Sequence, residues 1–255
     1  LRYLYINDKS EYIAFPKQTE SLLSLIIVID RVIKIDETIG NLKNLKSLSI
    51  NSNSLKEISN SIGKLVNLEY LSIRCENLDT IPKEICDIKS INEIDLYIKS
   101  PILFPEEIGQ LENLKKFRWG QCQIFPKVLY KCESLERLTF DKSYFDSIPI
   151  GISNLFNLRR LNLSFGTFKE LPADFDGLVN LKELELTGSK LFRIPKDLSR
   201  LKSLIGVDLQ YCDNITNDKN LLVSLKSIEK LEWIIITSSH ISEKDQSMIK
   251  KELGL

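Results

Sequence analysis

The groups in this chain that are able to do chemistry are few, and their spacing argues against catalysis. His240 is the single histidine, which removes histidine-rich zinc sites and every catalytic arrangement that needs two imidazoles. A Ser/His/Asp or Cys/His centre would have to be built on that one residue, near the C-terminal end of the sequence. Cys75, Cys86, Cys122, Cys132 and Cys212 are odd in number, dispersed and without a CxxC pair, so neither a disulfide framework nor a metal knuckle is expected. This usage fits a reducing compartment and an exported bacterial protein equally well. Gly40, Gly63 and Gly109 each follow an isoleucine at a regular spacing and read as turn residues rather than a phosphate cradle. The carboxylates Glu183, Glu185 and Asp208 are of the type that hydrolyses glycosides in pairs, but without a pocket they read as binding groups. No cofactor and no metal are expected.

Bulk properties narrow the partner. Lys+Arg and Asp+Glu both total 35, so no global field gathers nucleic acid or an anionic membrane, and nucleic acid is not expected as a partner. The longest apolar candidate, Leu22 to Ile29, is strand-sized, well short of the roughly 20 residues of a membrane span. Any electrostatic recognition must come from local clustering.

Internal repetition is the dominant signal. Steps of 23 residues connect Leu22, Leu45, Leu68, Ile91 and Leu114, and again Leu135, Leu158, Leu181 and Leu204. The steps Leu1 to Leu22 and Leu114 to Leu135 are 21 residues, and Leu204 to Leu231 is 27. Inside each unit the alternation in segments such as Leu181-Lys-Glu-Leu184-Glu-Leu186 predicts a short strand with one buried face. The later Ile81-Pro82, Ile148-Pro149, Leu171-Pro172 and Ile194-Pro195 end extended pairing, because proline has no N–H to donate. Segments such as Glu107-Ile108-Gly109-Gln110-Leu111 then suit one helical or 3-10 turn. A single unit buries too little apolar surface to offset its own ordering entropy, so the units must stack into one continuous core.

The spacing in Leu45-Lys-Ser-Leu48-Ser-Ile50-Asn51-Ser-Asn53-Ser-Leu55 resembles the leucine-rich repeat, and the resemblance covers essentially the whole chain. With Ile-Pro-x-x-Ile-Gly-x-Leu-x-Asn-Leu, the repeats are most similar to those of bacterial proteins and of Ras-associated scaffold proteins. The resemblance implies an α/β solenoid, a curved horseshoe with a parallel β-sheet on its concave face and short helical or 3-10 turns on its convex face. It also implies an inward asparagine after each strand that bonds neighbouring backbones. That slot matches only at Asn53; elsewhere it holds Glu76, Lys99, Cys122, Ser143, Gly166, Ser189, Cys212 and Ser239. Glu76 and Lys99 are therefore expected to disturb the coil. The 27-residue unit, with Cys212-Asp-Asn-Ile215-Thr216, resembles the cysteine-containing variant of the repeat.

The expected organisation is a repeat array over 1–240, of about ten repeats and a final strand, followed by a capping helix over 241–255. Ser242-Glu-Lys-Asp245 resembles a capping box. The sequence opens on Leu1, already inside a repeat, so the natural chain is expected to begin upstream.

Outward slots of the strands line up into stripes across the sheet. One contains Tyr3, Ser24, Ser47, Tyr70, Glu93, Lys116, Arg137, Arg160, Glu183, Gly206 and Trp233; its neighbour contains Tyr5, Ile26, Ser49, Ser72, Asp95, Arg118, Thr139, Asn162, Glu185, Asp208 and Ile235. Charge is banded along them, with a basic block of Lys116, Arg118, Arg137 and Arg160 and acidic shoulders at Glu93, Asp95, Glu183 and Glu185. Neutralisation across neighbouring strands accounts for the edges of the block and not for Arg137. Eleven strands about 4.8 Å apart offer a strip of roughly 750 Å², about one side of a standard protein interface.

The function expected is a protein-interaction module that holds a partner with an acidic central patch. The alternatives are a glycan-binding or adhesive surface protein, with Tyr70, Tyr97, Phe165 and Tyr211 as stacking platforms, and a substrate-recruiting part of a larger enzyme. A glycan on the sequon Asn162-Leu-Ser164 would obstruct the binding face, which favours a bacterial or cytoplasmic protein, secreted or surface-exposed in the bacterial case. Outward Tyr3, Tyr5, Ile26 and Val28 suggest a covered patch at the N-terminal end, through upstream residues or self-association.

Overall fold

A computed structural model describes residues 2–6, 13–15, 19, 21–215, 219–237 and 241–255. The chain forms two compact units, Leu1–Ser134 and Leu135–Leu255.

In the first unit, strands β1 (Tyr3–Ile6), β2 (Ser24–Val28), β4 (Ser47–Asn51), β6 (Tyr70–Cys75), β7 (Glu93–Ile98) and β8 (Lys116–Gly120) lie in sequence order in a sheet. Every pairing is parallel, and Tyr3, Ser24, Ser47, Tyr70, Glu93 and Lys116 are successive register partners. Each repeat therefore adds one coil, and the stripe read from the sequence is the register of the sheet. Alternate residues such as Leu48 and Ile50, or Ile94 and Leu96, point into the core at 0–1% exposure, as the period of two requires.

Chain reversal on the outer side is done by 3-10 turns, Glu37–Asn41, Asn60–Lys64, Lys83–Asp87, Glu106–Gln110 and Lys127–Lys131. Pro82, Pro105 and Pro126 stand immediately before three of them. Proline ends the extended segment and enters the turn where a missing N–H costs least. Asp36 and Ser59 cap two others by accepting from the N–H groups of Thr38 and Ser61. The glycines in these turns are there for space. A Cβ on Gly63 would lie 2.7 Å from the Glu84 carbonyl oxygen, and one on Gly109 would lie 2.6 Å from Lys131 Cβ, so neighbouring outer turns stack only because the side chain is absent. Two short segments, β3 (Lys34–Ile35) and β5 (Glu57–Ile58), also pair in parallel.

In the second unit, β9 (Arg137–Thr139), β10 (Arg160–Asn162), β11 (Glu183–Glu185), β12 (Gly206–Asp208) and β13 (Trp233–Ile235) continue the same scheme with strands of three residues. The 27-residue step between β12 and β13 accommodates an α-helix, α1 (Lys219–Lys226), in place of a 3-10 turn. Helix α2 (Glu243–Leu253) follows, with Ser242 accepting from the Asp245 N–H and Gly254 closing it in the left-handed conformation.

Coils are tied together just before several of the strands. Asn67, Asn113 and Asn180 donate side-chain N–H groups to the carbonyls of Lys43, Lys89 and Phe156 one coil back. Ser90 and Ser134 donate their hydroxyls to the Leu68 and Leu114 carbonyls from the equivalent slot.

The slot after the strand departs from the sequence reading. Asn53 and Lys99 are exposed and Glu76 is half-buried, and Lys99 pairs with Glu76 on the surface. The inward position in these repeats is one residue earlier, at Ser52, Cys75 and Ile98, at 0–1% exposure. Ser52 Oγ donates to the Val32 carbonyl, 2.8 Å away. From Gln121 onward the geometry changes: Gln121, Lys142, Phe165, Gly188 and Tyr211 all have positive φ, between 52° and 65°. The turn they make, closed for instance by Ser189 N–H donating to the Leu186 carbonyl at 3.0 Å, brings the next residue inside. Cys122, Ser143, Ser189 and Cys212 are accordingly 0–1% exposed.

Candidate functional site

The outward residues of the strands carry the candidate chemistry, and each unit holds part of it. On the first unit, Glu93, Asp95 and Tyr97 of β7 face outward beside Lys116 and Arg118 of β8. Lys116 Nζ lies 2.9 Å from Glu93 Oε2. Asp95 is half-buried; burial raises its carboxyl above the usual range, and the charges of Arg118 and Arg74 act in the opposite direction. The Arg74 guanidinium sits 5.2 Å from the centre of the Tyr97 ring, so one face of that aromatic is already used by a cation within the fold. Tyr70 is half-buried on the neighbouring strand.

On the second unit, Arg137 of β9 is exposed and is the register partner of Arg160 on β10. Arg160 turns to the other side, where its guanidinium lies 2.7 Å from Glu183 Oε1. Arg137 makes no ion pair among the described residues. Two of the four basic residues, Lys116 and Arg160, are thus partnered by the acidic shoulders. Such exposed pairs hold charges in place without adding much stability.

Glu185 accepts from the Asn162 side-chain amide, and Asn162 Oδ1 accepts from the Ser164 N–H at 2.9 Å. The sequon asparagine is therefore engaged in a local network. Burial raises the Glu185 carboxyl, repulsion from Glu183 and Asp208 adds to this, and the Asn162 amide and Arg160 oppose it. Asp208 Oδ1 accepts from the Gln210 N–H at 2.8 Å. Phe165 and Tyr211 are 47% and 58% exposed on the left-handed turns.

The cysteines are not poised for chemistry. Burial pushes Cys75 up to about 11, and Cys86, Cys122 and Cys132 up to about 12, so at neutral pH they are thiols rather than nucleophilic thiolates. Cys212 is also raised by burial and donates to the Leu186 carbonyl at 3.0 Å. Among the described residues, no group of three or more His, Cys, Asp or Glu is arranged to hold a metal ion. No helix of the described residues is long and apolar enough to cross a membrane. Leu1, Thr216, Ser239 and His240 lie outside the described residues.

Two features escaped the sequence reading. Trp233 lies across Gly206: a Cβ there would meet the indole carbons at 2.0 Å. The pair Gly206 and Trp233, adjacent in one stripe, was the available signal. The second is a groove of about 590 Å³ on the first unit, lined by Leu103, Phe104, Ile124, Phe125 and Val128 among others. Leu103 and Ile124 are 68% and 47% exposed at the slot where other repeats carry Glu57, Thr80, Glu170 and Arg193. A break from polar to apolar at one slot was the sign of it.

Coils that each add one parallel strand, 3-10 or helical reversals and a continuous aliphatic core define the leucine-rich-repeat fold, and solved structures carry the same architecture. A leucine-rich-repeat protein of Leptospira interrogans superposes with a TM-score of 0.63 at 23% identity, covering 98% of this chain and 76% of that one. An internalin of Listeria monocytogenes gives 0.67 at 18% identity, with 95% and 68% covered. A plant peptide hormone receptor, solved in complex with the peptide RGF2, gives 0.64 at 21% identity, with 94% of this chain and 38% of the receptor chain covered. No family model matches the sequence, and no curated protein does.

Proposed function

We propose that the protein is an interaction module that binds a protein partner on the exposed face of its parallel sheets and carries no catalytic step of its own. The observation that carries this reading is Arg137. It is exposed, without an ion pair among the described residues, and in register with a second arginine on the next strand. Like charges on adjacent strands repel, so a surface selected for stability alone would avoid the arrangement. An acidic group on a partner relieves the repulsion, and arginine suits bidentate recognition of a carboxylate. In this reading Lys116 and Arg118 on the first unit, and Arg137 and Arg160 on the second, contact acidic groups of the partner. Glu93, Asp95, Glu183 and Glu185 set its register, and Tyr70 and Tyr97 add apolar contact. The plant receptor of the same fold, solved with a peptide, lends general support to a protein or peptide ligand.

The test is the double charge reversal Arg137→Glu with Arg160→Glu. It is expected to weaken a partner by about 2 kcal/mol or more, roughly 30-fold, with little change in thermal stability. Unchanged affinity at physiological salt contradicts the reading, as does capture of glycans on an array in place of protein.

A further inference from the structure

On the second unit, charge and aromatic surface coincide where the proposed face is least balanced. Glu183 and Glu185 of β11 and Asp208 of β12 point outward, and no lysine or arginine occupies the outward positions of β11, β12 or β13. The nearest cation in the stripe, Arg160, is committed to Glu183. Glu185 and Asp208 are direct register partners, which puts them about 4.8 Å apart along the sheet. Each accepts a hydrogen bond from a neutral group, Asn162 and the Gln210 N–H respectively, and among the described residues neither forms an ion pair.

Beside them the Trp233 indole, half-exposed, occupies the space over Gly206 that a side chain would fill. Gly206 is two residues from Asp208 on the same strand, about 6.6 Å at the usual strand rise. A carboxylate pair without an ion pair among the described residues and an aromatic surface are thus within one side chain's reach of each other.

We infer that this part of the sheet takes an arginine side chain from an extended segment of the partner, with Glu185 and Asp208 as its anions and the Trp233 indole as the plane on which the guanidinium stacks. The inference rests on the exposed face being the binding face. A planar fork bridges two in-register carboxylates, which a point-like ammonium does less well, and Trp is the strongest of the aromatic partners for a stacked cation. The raised proton affinity of Glu185, from burial and from repulsion by Glu183 and Asp208, is the electrostatic deficit that a bound guanidinium removes. The partner would then present an acidic group to Arg137 and a basic one to this subsite.

The experiment titrates the intact chain with a blocked pentapeptide, Ser-Val-Arg-Val-Ser, and with its lysine, citrulline and glutamate analogues, following the indole N–H resonances by NMR. The chain has two tryptophans, and Trp119 is buried at 1% exposure, so Trp119 is an internal control. Expected is a saturable shift of the Trp233 resonance alone with the arginine peptide, a weaker one with lysine, and none with citrulline or glutamate. Glu185→Gln with Asp208→Asn, which keeps both internal acceptors, is expected to lower the arginine-peptide association constant about tenfold or more. A citrulline peptide that binds as well, an unaffected double variant, or no saturable shift up to millimolar peptide would overturn the inference. A protein partner weakened by Arg137→Glu with Arg160→Glu but indifferent to Glu185→Gln with Asp208→Asn leaves the binding-face reading standing and removes this one.

Discussion

The repeats built on β2, β4, β6 and β7 and those built on β9 to β12 share one sequence template and solve the end of the strand differently. In the first group the chain stays extended through Ile29, Ser52, Cys75 and Ile98, which are buried, and Asp30, Asn53, Glu76 and Lys99 follow on the outside. In the second, Lys142, Phe165, Gly188 and Tyr211 turn into the left-handed region, and Ser143, Gly166, Ser189 and Cys212 go inside. The inward slot is narrow: a Cβ on Gly166 would come within 2.3 Å of the Phe168 ring. Except at Gly188–Ser189, where glycine makes the left-handed turn, the smaller or more readily buried of the two consecutive residues takes the slot. The backbone adjusts, even where a bulky residue must then adopt a positive φ at a cost of about 1–2 kcal/mol. The second solution leaves Phe165 and Tyr211 exposed on the turns that follow the strands.

The largest effect is expected from forcing a charge into the slot. Ser189→Glu is expected to destabilise by about 3–5 kcal/mol in urea unfolding, whereas Lys99→Ser, at the equivalent sequence position in the other group, is expected to stay within about 0.5 kcal/mol. Equal effects would show that the two groups do not differ as described. Next is Gly188→Ala, which combines φ of 65° with a Cβ 2.6 Å from the Phe165 ring; a loss of about 1–3 kcal/mol is expected. Lys142→Gly tests the same conformation from the other direction, and relief of left-handed strain is expected to stabilise by about 0.5–1 kcal/mol. A loss of that size would mean that the strain is absent.

The smallest effect concerns pH. Asp174 Oδ2 accepts from the Gly151 N–H and from both the N–H and hydroxyl of Ser153, at 2.8–3.1 Å. Burial alone would raise its carboxyl, and these bonds outweigh burial and hold it below the ordinary value of 3.8. Its contribution is therefore complete above that value and fades as pH falls through the lower folded-state pKa. Asp174→Asn is expected to reduce stability at neutral pH and to flatten its acid dependence. An acid limb identical to that of the parent would remove Asp174 from the account.

Much of this was legible in the sequence because solenoid coils repeat a register. The 23-residue steps place Glu93 beside Lys116 and Arg160 beside Glu183, since a parallel strand added per repeat leaves no other pairing. The inward asparagine was misassigned because the template fixes the length between Leu48 and Leu55 but not which residue between them is buried. Residue size and polarity bear on that, as in Ser52 against Asn53 or Phe165 against Gly166. The position of Trp233 over Gly206 is harder to read, because it depends on the space that the absent Gly206 side chain leaves. The groove at Leu103 and Ile124 required comparing one slot across repeats rather than reading each repeat alone.

The central claim, that a partner sits on the exposed sheet face, is tested most directly by hydroxyl-radical footprinting of the chain alone and bound to a purified partner. Protection is expected at Phe165, Tyr211 and Trp233, with Leu103 and Ile124 reacting as in the free protein; protection confined to Leu103, Ile124 and Val128 would put the partner in the groove and contradict the account.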